Sequence, residues 1–224
     1  MSTEFTPTSP EHFQYIQRLC GPEAPFLASL RHEALAAGIP PISIGFAQAR
    51  FLQILLRIMG ARSVVEVGTL AGYSAIAMAE ALPAGGVVRT IECNAKHAAF
   101  AQAQVAKSRV AGRVQVLLGS GDEHLERMES GSVDAMFLDA DKAGYPRYLK
   151  QGMRLLRVGG LLLADNAFAF GELFAASFRD RETPAIREFN EQIAVVSNLQ
   201  SVLVPVGDGL WVATKTRDES PHPI

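Results

Sequence analysis

The chain has 224 residues, a formal net charge of −2 and 48% hydrophobic residues. That is enough apolar material for one globular domain with a full core, and the near-neutral charge gives no footprint for nucleic acid or an anionic membrane. Cys20 and Cys93 have neither metal-ligand nor redox spacing, and no apolar stretch approaches the ~20 residues of a bilayer span, so a cytoplasmic protein with reduced thiols is expected.

The opening "MSTEFTPTSP" has no basic segment followed by an apolar one, so no secretory signal is expected. Pro10 can open a helix through Tyr15, Ile16 and Leu19, which "CGPEAP" (20–25) breaks. A second helix carries Leu27, Leu30 and Leu35 and ends near Gly38 and Pro40–Pro41. Residues 46–59 then place Phe51, Leu52, Leu55, Leu56 and Met59 at helical spacing.

From Ser63 the pattern becomes short apolar runs separated by helix-length segments. Strands are expected at 63–68, 87–92, 114–119, 132–139 and 160–165, with helices at 73–82, 95–108 and 145–156 between them. Continuous apolar runs of this kind belong to parallel strands covered on both faces. The tail "SVLVPVGDGLWVATKT" (201–216) reads instead as two strands about a tight "GDG" turn. The expected architecture is an α/β, doubly wound, mostly parallel sheet ending in an antiparallel hairpin. It forms a single domain over 1–224, with a helical N-terminal extension at 1–42 and an α/β core at 43–224.

Ligands of such sheets sit at the carboxyl ends of the strands. The first strand ends in "EVGTLAGYS", with Glu66, Gly68, Thr69, Gly72 and Ser74; the second ends in Glu92. Gly68 and Gly72 permit a tight turn and close ligand approach. The turn lacks both G-x-G-x-x-G and G-x-x-x-x-G-K-[ST], and Glu66 would repel phosphate but suit an ammonium. Glu92 can grip ribose hydroxyls. A ligand with a ribose, no phosphate and a cationic amino-acid end is S-adenosylmethionine.

The fourth strand ends in "FLDADK" (137–142) and the fifth in Asp165–Asn166. Consecutive parallel strands of a right-handed β-α-β unit are usually neighbours, about 4.8 Å apart, so their tips would bring two carboxylates and an amide oxygen together. Oxygen ligands without nearby Cys or His favour a hard cation, with Mg²⁺ first and Mn²⁺ or Ca²⁺ as alternatives. The plainer reading is that Asp139, Asp165 and Asn166 only cap turns and helices. Three oxygen donors on adjacent tips favour the cation; Asp141 fits a cap at least as well. A lysine beside a divalent cation is pushed towards its neutral form and can then take a proton from a hydroxyl, so Lys142 is the candidate base. Without those acids it would read as an ordinary solvated lysine.

The blocks "VVEVGTLAGYSAIAMA", "FLDADKAGYPRYL" and "GGLLLADNAFAFGELF" resemble the cation-dependent O-methyltransferases of the catechol and caffeoyl-CoA group and their bacterial relatives. The likeness runs from about Ile44 to "GDGLWVATK" (207–215) and implies a Rossmann-like methyltransferase fold. It implies that Asp139, Asp165 and Asn166 hold the metal and that Lys142 is the general base. Asp139 would also face the amino group of S-adenosylmethionine, Glu66, Gly68, Thr69 and Ser74 its methionine part, and Glu92 its ribose. Ile44 and Gly121 would lie beside the cofactor. The acceptor would be a small phenolic, catechol-like molecule, methylated on one hydroxyl.

The pattern departs from the family at "GFAQA" (45–49), where Ala49 stands at a usual glycine, and at Gly121, a position more often alanine. Phe168 and Phe170 stand where some relatives carry Trp, and either stack on a planar substrate or pack in the core. The segment 177–190 is charged enough for a surface stretch near the substrate entrance, the histidines are scattered, and Trp211 reads as core. A homodimer is expected, with the 10–37 helices either its contact or a lid over the cofactor. The rival readings are a non-catalytic S-adenosylmethionine-binding regulator, disfavoured by Lys142, and a nicotinamide oxidoreductase, disfavoured by the missing pyrophosphate fingerprint.

Overall fold

A computed structural model describes residues 9–218. The N-terminal stretch read for a secretory signal lies mostly outside them, as does His222. Three helices come first: α1 (Pro10–Leu19), α2 (Pro25–Ala36) and α3 (Phe46–Met59). Prolines at the first turns of α1 and α2 cost no hydrogen bond there, and Gly60, at φ 65°, closes α3 in the left-handed region. α1 buries none of its residues, whereas α2 buries Leu27, Leu30 and Ala34, and α3 buries Leu52 and Leu56.

The core follows as β1 (Ser63–Val67), α4 (Tyr73–Ala81), β2 (Val87–Glu92), α5 (Ala95–Lys107), β3 (Val114–Leu118), α6 (Gly121–Glu126) and β4 (Val133–Leu138). Then come α7 (Tyr145–Leu155), β5 (Leu156–Ala164), α8 (Thr183–Ala194), β6 (Leu199–Val204) and β7 (Leu210–Lys215). The strands form one seven-stranded sheet in the order β3-β2-β1-β4-β5-β7-β6. β1 to β5 pair in parallel, and β7 pairs antiparallel with both β5 and β6, so the expected terminal hairpin is present.

Adjacent residues of one strand serve opposite cores, which explains the unbroken apolar runs. In β4, Ala135 and Phe137 join the core under α2 to α5, while Met136 and Leu138 join the one under α6, α7 and α8. Strand order reverses between β1 and β4, the point where an open α/β sheet forms its ligand crevice. Among the described residues no helix is long and apolar enough to cross a membrane.

Three expectations are revised. β5 begins at Leu156, four residues earlier than its apolar run, because Leu156 pairs with Val133 before an irregularity that carries the ladder on to Leu161. The stretch between the strands expected at 114–119 and 132–139, for which no helix is expected, forms α6 from Gly121. The charged segment 177–190 is not wholly surface: α8 buries Thr183, Ile186, Phe189 and Ile193, and the Phe189 ring meets Tyr145 edge-on at 5.0 Å. Its charges mask an apolar stripe at helical spacing.

Candidate active site

One cavity of about 880 Å³ opens at the carboxyl ends of β1, β2 and β4. Ile44, Gly68, Thr69, Ser74, Glu92, Gly121, Asp139, Lys142 and Asn166 all line it. Glu66 and Asp165 are buried. Backbone bonds stagger the tips: Gly68 N donates to Ile91 O (3.0 Å), Asp139 N to Val67 O (2.9 Å) and Asp165 N to Leu138 O (3.0 Å). The ladder thus continues one residue past each strand and brings Gly68, Asp139 and Asp165 to the same edge of the sheet.

On the β1 side, Glu66 is wholly buried and its Oε1 has no hydrogen-bond partner. Thr90 donates to the other oxygen at 2.5 Å, and the Thr69 hydroxyl lies 2.5 Å from Thr90. Burial pushes the Glu66 carboxyl up to about 8; hydrogen bonds from Ser74 and Thr90 oppose the rise, and Asp139 and Glu92 add to it. A buried carboxyl oxygen without a partner is rare, and Glu66 lies behind the cavity wall, beside Thr69 and Ser74, rather than on it. Glu92 is held rigidly, accepting from Leu70 N at 2.8 Å and Asn94 N at 2.9 Å. Gly121 lines the same cavity because no side chain fits there: a Cβ would lie 2.9 Å from both Tyr148 and Val67. Ala49, the departure in "GFAQA", points into the apolar core, while Ile44 just before it reaches the cavity.

On the β4–β5 side, Asp139, Asp165 and Asn166 stand on neighbouring tips, Leu138 pairing with Ala164. Burial, and then repulsion from Asp139, raises Asp165 to about 7. Burial also raises Asp139, against the pull of Lys142. Gln48 Nε2 donates to Asp165 Oδ1 at 2.8 Å. Asn166, at φ 64°, donates through Nδ2 to Asp208 Oδ2 at 3.3 Å, which leaves Oδ1 as its acceptor. Two crowded carboxylates and an amide oxygen are a donor set that could hold a hard cation. Among the described residues no group of three His, Cys, Asp or Glu side chains gathers in this way, so any ion here would rest on two acids and an amide.

Lys142 is 3% exposed. Its Nζ lies 3.6 Å from Asp139 Oδ1 and donates to Tyr145 Oη at 2.7 Å; the tyrosine donates onward to Leu138 O at 3.0 Å. Burial and the carboxylates of Asp139, Asp165 and Glu182 raise the Tyr145 phenol well above its ordinary value, so it stays a donor. The solvated-lysine reading is therefore overturned. Asp141 caps no helix through its side chain and instead accepts from Tyr148 Oη at 2.8 Å. Phe170 is 45% exposed on the cavity rim, whereas Phe168 is half-buried beside the Gly209 backbone. Trp211 is buried and donates to Asn190 at 2.6 Å, as a core residue would.

Sequence reasoning missed Gln48, Tyr145 and Asp208. Tyr145 carried a signal, three residues after Lys142 on one helical face; Asp208 stood in the "GDG" turn but was read only as turn chemistry.

Comparison with known proteins agrees with this geometry. The family model described as O-methyltransferase matches residues 17–216. A catechol O-methyltransferase from Niastella koreensis is 35% identical over 207 residues, covering 89% of this chain and 94% of that protein. The crystal structure of the O-methyltransferase from Bacillus cereus, complexed with SAH, superposes with a TM-score of 0.82 at 31% identity, covering 91% of this chain and 96% of that one. The O-methyltransferase TomG from Streptomyces achromogenes, involved in tomaymycin synthesis and crystallised with SAM, gives 0.80 at 27% identity over 92% and 96%. A match across most of the chain, with the crevice where these enzymes' fold demands it, identifies the protein as a member of the O-methyltransferase family.

Proposed function

We propose that the protein moves the methyl group of S-adenosylmethionine to one hydroxyl of a vicinal dihydroxy aromatic molecule, with Asp139, Asp165 and Asn166 holding a divalent cation and Lys142 accepting the hydroxyl proton. The observation that carries this reading is Lys142 itself, a buried amine fixed between Asp139 and Tyr145 on the wall of the cavity that Asp139 and Asn166 also line, with Asp165 buried behind them. The crystallised relatives with SAH or SAM, and the relative named for catechol, support the cofactor and the acceptor class.

The cofactor supplies a methyl carbon on a sulfonium, and the cation a Lewis acid that lowers the pKa of a chelated hydroxyl. The chain's residues do the rest. The unpartnered Glu66 Oε1 suits the α-ammonium end, and rigid Glu92 suits ribose hydroxyls. Asp208 turns the Asn166 amide so that its oxygen faces the site. Gln48 keeps Asp165 in place, and Tyr145 holds the Lys142 amine where a hydroxyl proton can reach it. Gly68 lets the cofactor and acceptor approach, and positioning two reactants in this way is a large part of such catalysis.

The test is transfer of labelled methyl from S-adenosylmethionine to catechol, with magnesium, manganese or calcium, and with a chelator. Label in the product that disappears with chelator and returns with cation supports the reading. Transfer unaffected by chelator removes the cation from it, and no transfer to any vicinal diol removes the acceptor class.

A further inference from the structure

One side chain of the N-terminal extension binds two residues of the cavity wall, Ile44 and Tyr73. Arg31, on α2, donates through Nη2 to Ile44 O at 2.5 Å and through Nε to Glu23 Oε1 at 2.9 Å. Its guanidinium lies 3.9 Å from the centre of the Tyr73 ring, and the Tyr73 hydroxyl donates back to the same Glu23 oxygen. Burial and the Glu23 carboxylate raise the Tyr73 phenol, which keeps that donor protonated.

The four groups come from different places. Glu23 precedes α2, Arg31 is within it, and Ile44 belongs to the strap 42–44 that lines the cavity. Tyr73 is the first residue of α4, directly after the glycine turn, and also lines the cavity. Beyond Arg31 the strap rests on the buried Ile44 side chain, which packs in the apolar core. Pro40 and Pro41 donate no backbone hydrogen bond, and the strap's amide at Ile42 bonds only locally, to Pro40 O at 2.9 Å. One planar cation thus ties strap, extension and cofactor turn with a fork and a stack, a geometry that lysine cannot reproduce.

We propose that Arg31 is a positioning residue for S-adenosylmethionine: by holding the Ile44 carbonyl against Tyr73 it keeps the strap closed over the cofactor half of the cavity. The inference rests on the reading that this cavity takes S-adenosylmethionine. It assigns α2 and the Glu23 turn before it a role in cofactor affinity. Affinity falls in proportion to the fraction of molecules in the competent arrangement, so a strap held only one-tenth of the time weakens binding about tenfold.

The experiment uses the full chain and its Arg31→Ala, Arg31→Lys and Tyr73→Phe variants, with calorimetric binding of S-adenosylhomocysteine, steady-state kinetics and thermal melts. Arg31→Ala should raise Kd for S-adenosylhomocysteine and KM for S-adenosylmethionine about tenfold, with kcat and the acceptor KM within about twofold. Arg31→Lys should recover less than half of that loss, because charge returns without fork or stack. Tyr73→Phe, which removes one hydroxyl and keeps the ring, should show a smaller shift of the same kind, and it reports on the network if Arg31→Ala proves too unstable to assay. Unchanged cofactor affinity in the folded variants, or full rescue by lysine, overturns the proposal. So does a loss confined to kcat. Wild-type protein that fails to bind S-adenosylhomocysteine overturns the cofactor reading as well, which separates the two failures.

Discussion

A Cβ placed on Gly68 would lie 2.0 Å from the carbonyl oxygen of Asp139, so the tip of β1 passes directly against the tip of β4. Gly68 also sits at φ 98°, where an L side chain is strained. The contact falls at the reversal of strand order, and it brings the cofactor turn and the acid-bearing tip onto one crevice. Gly68→Ala should therefore cost about 2–4 kcal/mol, combining backbone strain with displacement of Asp139. A melting temperature lowered by several degrees, together with lost binding of S-adenosylhomocysteine by calorimetry, is the expected outcome; a stable variant with wild-type affinity would refute the close approach.

Lys142 and Tyr145 should separate proton removal from the placement of the base. Lys142→Ala is expected to lower kcat by about 10²–10⁴, the usual range for a positioned acid or base. Tyr145→Phe keeps the amine but removes its acceptor, and a loss of about tenfold is expected, with about 1 kcal/mol of stability from the lost Tyr145–Leu138 hydrogen bond, the Leu138 carbonyl keeping Asp165 N as a donor. Cofactor affinity should stay within about twofold in both, since neither acts on the adenosyl group. Full turnover of Lys142→Ala, measured with labelled cofactor, would end its assignment as base.

Removing the cation should abolish transfer, and adding it back should restore it. Gln48→Leu strips the amide donor from Asp165 Oδ1 and should raise the half-saturating cation concentration about 10- to 100-fold, the cost commonly seen when a group supporting a metal ligand is lost. Asp208→Ala frees the Asn166 amide and should shift it in the same direction but less. Titration of activity against magnesium reads both, and unaltered titration curves would show that neither residue supports the site.

Glu66 predicts a pH dependence of stability in the cofactor-free protein. Its folded value, about 8, lies above the 4.5 of an unperturbed carboxyl. Folding therefore favours the protonated form. The stability this provides is complete below about pH 4.5 and is lost as pH rises through about 8, a change on the order of a few kcal/mol. Glu66→Gln should lessen the fall in melting temperature between pH 5 and 9, leaving the part that the raised Asp139 and Asp165 contribute, raise it at the alkaline end, and weaken S-adenosylhomocysteine binding. Parallel melting curves for both proteins across that range would contradict the assignment.

How far these features could be read in advance differs between residues. Asp139, Asp165, Asn166 and Lys142 were legible because each ends or follows an apolar run, and a parallel sheet gathers such ends on one edge. Glu66 and Glu92 were legible for the same reason. Tyr145 was local but silent, because nothing in a helix's first residue says that its hydroxyl will bridge an amine and a carbonyl. The stripe of α8 was hidden under the charges of 177–190, and only packing against Tyr145 showed which face is apolar.

Periodicity along the chain determined the elements and their order, since strand and helix leave repeats of two and 3.6 residues that need no distant partner, and the family was legible from the three motif blocks at the strand ends. What supports the acids came from tertiary structure alone. Gln48 reaches Asp165 across 117 positions, and the turn at Asp208 closes on Asn166 across 42, from the strand paired beside β5. Such pairings are settled by how layers stack and where loops close, and a hydrogen bond between remote segments has no period along the chain by which it could be read.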